Sequence, residues 1–123
     1  MARPYDQTHD SALFEQRSLP STERTCPLCG HLGLRIYYHE KLGRPQPSWI
    51  IYLWCPACHA YSSAFAGSGR NQVTEDPLAE EFGERIKELF RDPEALLRHL
   101  DGYWNRGSLP QEISRRRKSD RGR

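Results

Sequence analysis

Cys26-Pro27-Leu28-Cys29 and Cys55-Pro56-Ala57-Cys58 are the two stretches on which the reading of this chain turns. They use all four cysteines of the sequence, and 25 residues lie between them. A Cys-x-x-Cys pair sets two thiolates on one side of a tight turn, at the separation one metal ion needs. Two such turns from different strands complete a tetrahedral S4 site, the arrangement Zn²⁺ favours when its role is structural. The interval is wider than in the commonest paired-cysteine pattern and suits two strands joined by a long turn. Proline after each first cysteine fixes φ and tightens the knuckle, and Gly30 after Cys29 allows a positive φ. His59 takes the corresponding place after Cys58, so the second knuckle departs from the first.

Two other chemistries use such pairs. Thiol redox chemistry needs one motif opening a helix in a βαβ setting, whereas here two motifs sit beside strand-like sequence. A zinc deaminase carries His-x-Glu and later Pro-Cys-x-x-Cys. This chain has His39 and Glu40 adjacent, and Trp54 where that proline would stand. Four sulfurs also fill a tetrahedral shell and leave no position for a catalytic water. His31, His39 and His59 are therefore read as surface or supporting residues. No Ser/His/Asp set, Gly-rich phosphate loop or paired-carboxylate pattern is visible. The expectation is one structural Zn²⁺ on Cys26, Cys29, Cys55 and Cys58, with no catalytic residue and no small-molecule substrate.

Outward from the knuckles, residues 32–40 alternate as a strand, with Leu34, Ile36 and Tyr38 on one face. Residues 41–47 read as a turn, from Gly43 and two prolines. Trp49 to Trp54 is apolar at every position, which suits a strand covered on both faces. A third strand is expected over 59–65, then a flexible loop over 67–71. Asp76-Pro77 and Asp92-Pro93 each read as an N-cap with proline at the first helical position. Leu78, Phe82, Ile86, Leu89 and Phe90 form one helical stripe with Gly83 inside it, at a cost of about 1 kcal/mol against alanine that tertiary packing offsets. Leu96, Leu97, Leu100, Tyr103 and Trp104 form a second, with Gly107 as its stop. Residues 1–25 read as an arm with a short helix over 11–17.

At 123 residues, with a hydrophobic fraction of 37%, the core is small, and a metal staple supplies stability that packing alone does not. No run approaches a membrane span, and the first ten residues have no apolar signal core. A reducing cytoplasm is the expected compartment, where paired cysteines serve metals more than disulfides. The net charge of +2 is unevenly spread: residues 1–25 carry −1, 26–70 carry +3, 71–113 carry −5 and 114–123 carry +5. An acidic helical block is a poor surface to lay on a phosphate backbone. Trp54, Tyr103 and Trp104 with Arg106 make a protein-binding surface. The competing readings treat the aromatics of the cysteine-bearing hairpin as a stacking platform for bases and Arg115, Arg116, Arg117 and Lys118 as phosphate contacts. Set against both, the same aromatics serve as a core, and the tail as a solvated extension.

Residues 25–65 resemble the zinc ribbon family: Cys-Pro-x-Cys-Gly, a β-hairpin, Cys-Pro-x-Cys and a closing strand. The resemblance implies the same four cysteine ligands, and its family includes both nucleic-acid-binding and protein-docking members. The whole chain is similar to small actinobacterial zinc-ribbon proteins with an Asp-Pro-capped acidic helix pair. Their Leu-Asp-x-x-Trp-x-x-Gly-x-Leu-Pro ending is matched by Leu100, Asp101, Trp104, Gly107, Leu109 and Pro110. Small acidic-bodied proteins of this kind act as immunity proteins or other protein partners, so the expected function is immunity- or adaptor-like binding of another protein. The expected fold is a small metal-stabilised α+β domain: arm (1–25), zinc ribbon as a hairpin or three-stranded sheet (26–66), linker (67–75), αα-hairpin (76–107) and disordered basic tail (114–123).

Overall fold

The computed structural model describes residues 2–16, 19–41, 48–67, 71–73 and 75–115. Of the turn expected at 41–47 and the loop expected at 67–71, residues 42–47 and 68–70 lie outside the described residues, as do 116–123 of the tail, with Arg116, Arg117 and Lys118; Lys41 and Gly67 end strands and Asn71 begins one. In chain order the elements are β1 (Arg3–Pro4), α1 (Gln7–Gln16), β2 (Arg35–Lys41), β3 (Ser48–Trp54), β4 (Ala60–Gly67), β5 (Asn71–Val73), α2 (Pro77–Phe82), α3 (Ile86–Phe90), α4 (Pro93–Asn105) and β6 (Ile113–Arg115).

The all-apolar run at β3 becomes the inner strand of a four-stranded sheet ordered β1-β4-β3-β2. It pairs antiparallel with β2, Tyr37 opposite Tyr52, and with β4, Tyr52 opposite Ser63. Its alternating side chains feed two cores, one on each face of the sheet. On one face Tyr37, Tyr52 and Trp54 pack against Leu78, Ile86, Leu89, Leu96, Leu97, Leu100 and Tyr103 of the helices. On the other, Leu34, Ile36 and Leu53 pack with Tyr5, Leu13 of α1, Cys26 and Cys55. A strand apolar at every position is thus explained by burial on both sides.

Both Asp-Pro signals start helices. The Asp76 carboxylate accepts from the Ala79 N–H at α2, and Asp92 accepts from Ala95 at α4. Gly107, at φ 82°, ends α4 with paired bonds from its own N–H to the Trp104 carbonyl and from Ser108 N–H to Tyr103. That is a Schellman cap, a conformation glycine adopts without a Cβ penalty.

The segment before Cys26, expected as a docked or frayed arm, is docked: β1 adds a fourth, parallel strand beside β4, and Tyr5 and Leu13 are buried. Five expectations are corrected. The helix of that segment starts at Gln7 rather than Ser11, with the Asp6 carboxylate accepting from the His9 N–H. The first arm of the helical hairpin is not continuous, because Gly83 takes φ 55° and the chain passes through a 3-10 turn before α3. The expected linker contains β5, and the expected disordered tail begins inside β6, where Arg115 pairs with Asn71. Trp54 and Tyr103 are not surface residues: they are 0% and 3% exposed, covered by the helical layer they help to dock.

Candidate metal centre

Each cysteine pair forms a knuckle with the same hydrogen bonds. In the first, Gly30 N–H donates to the Cys26 carbonyl at 2.9 Å, and Cys26 N–H to the His31 carbonyl at 2.8 Å. In the second, His59 N–H donates to Cys55 at 2.9 Å and Cys55 N–H to Ala60 at 2.9 Å. The turns aim backbone N–H groups at the leading sulfurs: Leu28 and Cys29 lie 3.4 Å from Cys26 Sγ, and Ala57 and Cys58 lie 3.4 and 3.5 Å from Cys55 Sγ. Gly30 and His59 fill the same position with φ of 79° and 59°. The histidine therefore accepts a left-handed backbone that glycine takes freely.

The two knuckles face each other across the end of the sheet. All four Sγ atoms lie within 4.8 Å of one another. Two of the approaches run between knuckles, Cys26 to Cys58 at 3.8 Å and Cys29 to Cys55 at 3.6 Å. Such a set can hold one metal ion. Cys26 and Cys55 are buried, Cys58 is half-buried and Cys29 is exposed, so one side of the cluster faces the core and the other solvent.

Tyr5 is the site residue that sequence reasoning missed. Its hydroxyl lies 2.9 Å from Cys26 Sγ, carried there by the pairing of β1 with β4. Burial pushes the Cys26 thiol up, but the Tyr5 hydroxyl and the N–H groups of Cys29 and Leu28 outweigh it and bring the thiol down to about 6. Burial carries Cys55 the other way, up to about 12, against the N–H groups of Cys58 and Ala57. Cys58 is also raised, chiefly by burial. The Tyr5 hydroxyl and the two N–H groups thus favour the thiolate form of Cys26, and a bound cation would draw protons off the other thiols. Nothing in the local sequence around Tyr5 signals this role, because the contact spans 21 residues and depends on a two-residue strand.

His39 and His59 each meet a carboxylate that joins the sheet to the helices, while His31 is exposed. Asp101 of α4 takes Arg35 Nη1 at 2.7 Å and Trp54 Nε1 at 2.8 Å on one oxygen, and stands 3.2 Å from His59 Nε2 on the other. Asp76 repeats the device at the start of α2, with Tyr37 donating at 2.6 Å and His39 Nδ1 at 2.8 Å. Trp104 is half-buried, edge-on to Trp54 and under the Arg35 guanidinium at 5.4 Å, and Arg106 is exposed with its guanidinium 5.0 Å from the Tyr103 ring. No helix among the described residues is long and apolar enough to cross a membrane. Compared with family models, curated proteins and solved structures, the chain matches none of them.

Proposed function

We propose that Cys26, Cys29, Cys55 and Cys58 hold one Zn²⁺ as a structural ion, and that residues 26–66 are a zinc ribbon within a non-catalytic module that binds another protein. The spacing of the sulfurs carries the metal. At a Zn–S distance of about 2.3 Å, tetrahedral sulfurs stand about 3.8 Å apart. Two cross-knuckle pairs stand at 3.8 and 3.6 Å, and all four sulfurs lie within 4.8 Å of one another. An all-sulfur set also suits Zn²⁺ and disfavours Mg²⁺ or Ca²⁺, which take oxygen ligands. The ion supplies charge neutralisation for the thiolates and a cross-link between the two knuckles.

Burial of Trp54 and Tyr103 moves the partner surface onto Trp104, Arg106 and the exposed carboxylates Glu80, Glu84 and Glu88. The same burial supports a protein partner over nucleic acid. Tyr37, Tyr52 and Trp54, three of the hairpin aromatics that would stack on bases, are in the helix-covered core, while Phe65 is exposed. The exposed glutamates repel phosphate and attract a basic partner. An adaptor- or immunity-like role in a bacterial cytoplasm fits a small domain of this kind.

Cobalt substitution tests the metal: a 1:1 complex with the intense sulfur-to-metal bands of tetrahedral S4 coordination is expected, and a six-coordinate spectrum would refute the site. Photo-cross-linking from position 104 tests the partner surface. Capture of one protein that Glu84→Lys with Glu88→Lys abolishes is expected. Salt-sensitive binding to RNA or DNA without any protein capture would instead establish the nucleic-acid reading.

A further inference from the structure

We propose that a second copy of this chain pairs with the β4 edge, through an antiparallel β4–β4 ladder centred on Phe65. The inference stands apart from the metal and from whatever the acidic helices bind. It starts from the unequal treatment of the two sheet edges. On the β2 edge, Gln111 Oε1 accepts the Tyr38 N–H at 2.9 Å and its Nε2 donates to the Tyr38 carbonyl at 2.8 Å. One side chain from 73 residues away thus occupies both outward groups of Tyr38. On the β4 edge, β1 pairs only with Ala60 and Tyr61, and the strand runs on to Gly67.

The direction of the free groups follows from the bonds already made. Arg3 N–H donates to the His59 carbonyl and Tyr5 N–H to the Tyr61 carbonyl, both on the side away from β3. Alternate residues of a strand point their N–H and C=O the same way. The register with β3 is unbroken from Trp54↔Tyr61 to Ser48↔Gly67, so Ser63, Phe65 and Gly67 continue that outward row. Among the described residues, nothing bonds to their outward groups.

The row is symmetric about Phe65, and this selects the occupant. An antiparallel copy sets Phe65 against its own counterpart and Ser63 against Gly67, each facing pair exchanging both N–H···O bonds. A two-fold axis through a strand brings every charge on it near a like charge, yet Ala60–Gly67 carries none, and no proline. Soluble proteins guard open edges with such residues, and this edge lacks them. Ala64 and Ala66 are small enough for a close neighbour on the opposite face. Phe65 is 79% exposed, the most exposed of the large hydrophobic side chains, and the axis gives it a cross-strand aromatic partner.

Sedimentation velocity and amide hydrogen exchange on the full chain, purified with zinc, test the pairing between about 10 µM and about 1 mM, the range for so small an interface. The expected result is a dimer that grows with concentration, with at least about tenfold added protection at the amides of Ser63, Phe65 and Gly67. Ala64 and Ala66, which face β3, should show no change. Phe65→Lys places like charges at the axis and should stay monomeric, with an unaltered circular dichroism spectrum because the side chain lies in solvent. A monomer throughout, as expected if a different protein's strand is the occupant, overturns the proposal. So does a dimer that survives Phe65→Lys, or one without the alternating protection; the wild-type exchange pattern decides even if the variant misfolds.

Discussion

His59 Nε2 stands 3.2 Å from Asp101 Oδ2, and His59 is also the residue that carries a left-handed φ where the first knuckle has glycine. A non-glycine residue there costs about 1–2 kcal/mol. The side chain gained in exchange reaches α4, so the second knuckle is tied to the helical layer and the first is not. Arg35 and Trp54 converge on the same carboxylate from β2 and β3. Asp101 is the point at which metal site, sheet and helices meet.

Removing that carboxylate strands a buried indole N–H and an Arg35 guanidinium that is mostly shielded from water. Asp101→Ala is expected to cost about 2–4 kcal/mol in urea unfolding of the metal-loaded protein. Asp101→Asn keeps an acceptor for Trp54 and should lose less than half as much. Equal losses for the two would show that charge rather than acceptor geometry matters here.

Tyr5→Phe deletes only the hydroxyl on Cys26. Outer hydrogen bonds to metal ligands are worth about tenfold or more in affinity. Competition with a chromophoric chelator should therefore show about tenfold weaker zinc binding, with the secondary structure retained. An unchanged constant would make the 2.9 Å contact incidental.

Gln111→Ala leaves the outward N–H and C=O of Tyr38, and the Glu75 carbonyl, without the donor and acceptor they now use. The expected loss is about 1–3 kcal/mol. Gln111→Glu should be no better, since a carboxylate cannot donate to the two carbonyls. Rescue by Glu would contradict the assigned amide orientation.

Alkaline pH should unfold the protein in one step. Burial raises the phenols of Tyr37, Tyr52, Tyr38, Tyr103 and Tyr5, aided by Asp76 at Tyr37, Glu81 at Tyr103 and Cys26 at Tyr5. Phenols with raised folded values leave stability intact below their unfolded value of about 10 and erode it as pH climbs beyond. Near-ultraviolet phenolate absorbance should therefore rise together with loss of ellipticity. Gradual ionisation of most tyrosines with the fold intact would contradict the burial argument.

Chelation should unfold the region around the knuckles, not merely empty a site. Cys26 and Cys55 belong to the same core as Leu34, Ile36 and Leu53. Without an ion, the hydrogen bonds that favour charge on Cys26 have no cation to balance it beside the buried Cys55 thiol. The expected readout is loss of amide protection across residues 26–65 and of the near-ultraviolet dichroism of Trp54. A metal-free protein with full protection would show that the two cores suffice.

The parts of this fold legible in the sequence are those set by neighbours along the chain. Each knuckle depends on four or five consecutive residues, and each Asp-Pro start on a carboxylate that reaches the N–H three residues on. The all-apolar run at β3 announces burial on both faces without naming what covers them. Most of the missed features are long-range; the start of α1 at Gln7 and the break at Gly83 are the local exceptions. Arg3 and Pro4 make a strand only because the β4 edge is beside them. Gln111 looks like any polar loop residue until it meets Tyr38. Trp54 and Tyr103 sit at the end of a strand and near the end of a helix, where exposure is as natural as burial, and only the docked helical layer decides.

The unequal exposure of the four cysteines has a kinetic consequence. Ligand exchange at a filled tetrahedral ion goes fastest when an incoming ligand attacks before an old one departs. With Tyr5 against Cys26 and Cys55 buried, the exposed Cys29 is the side from which an incoming ligand would reach an ion held in the cluster. A bulky chelator and a small thiol should then strip the ion at very different speeds while agreeing on its affinity. How long the module keeps its metal would be governed by the room around one sulfur.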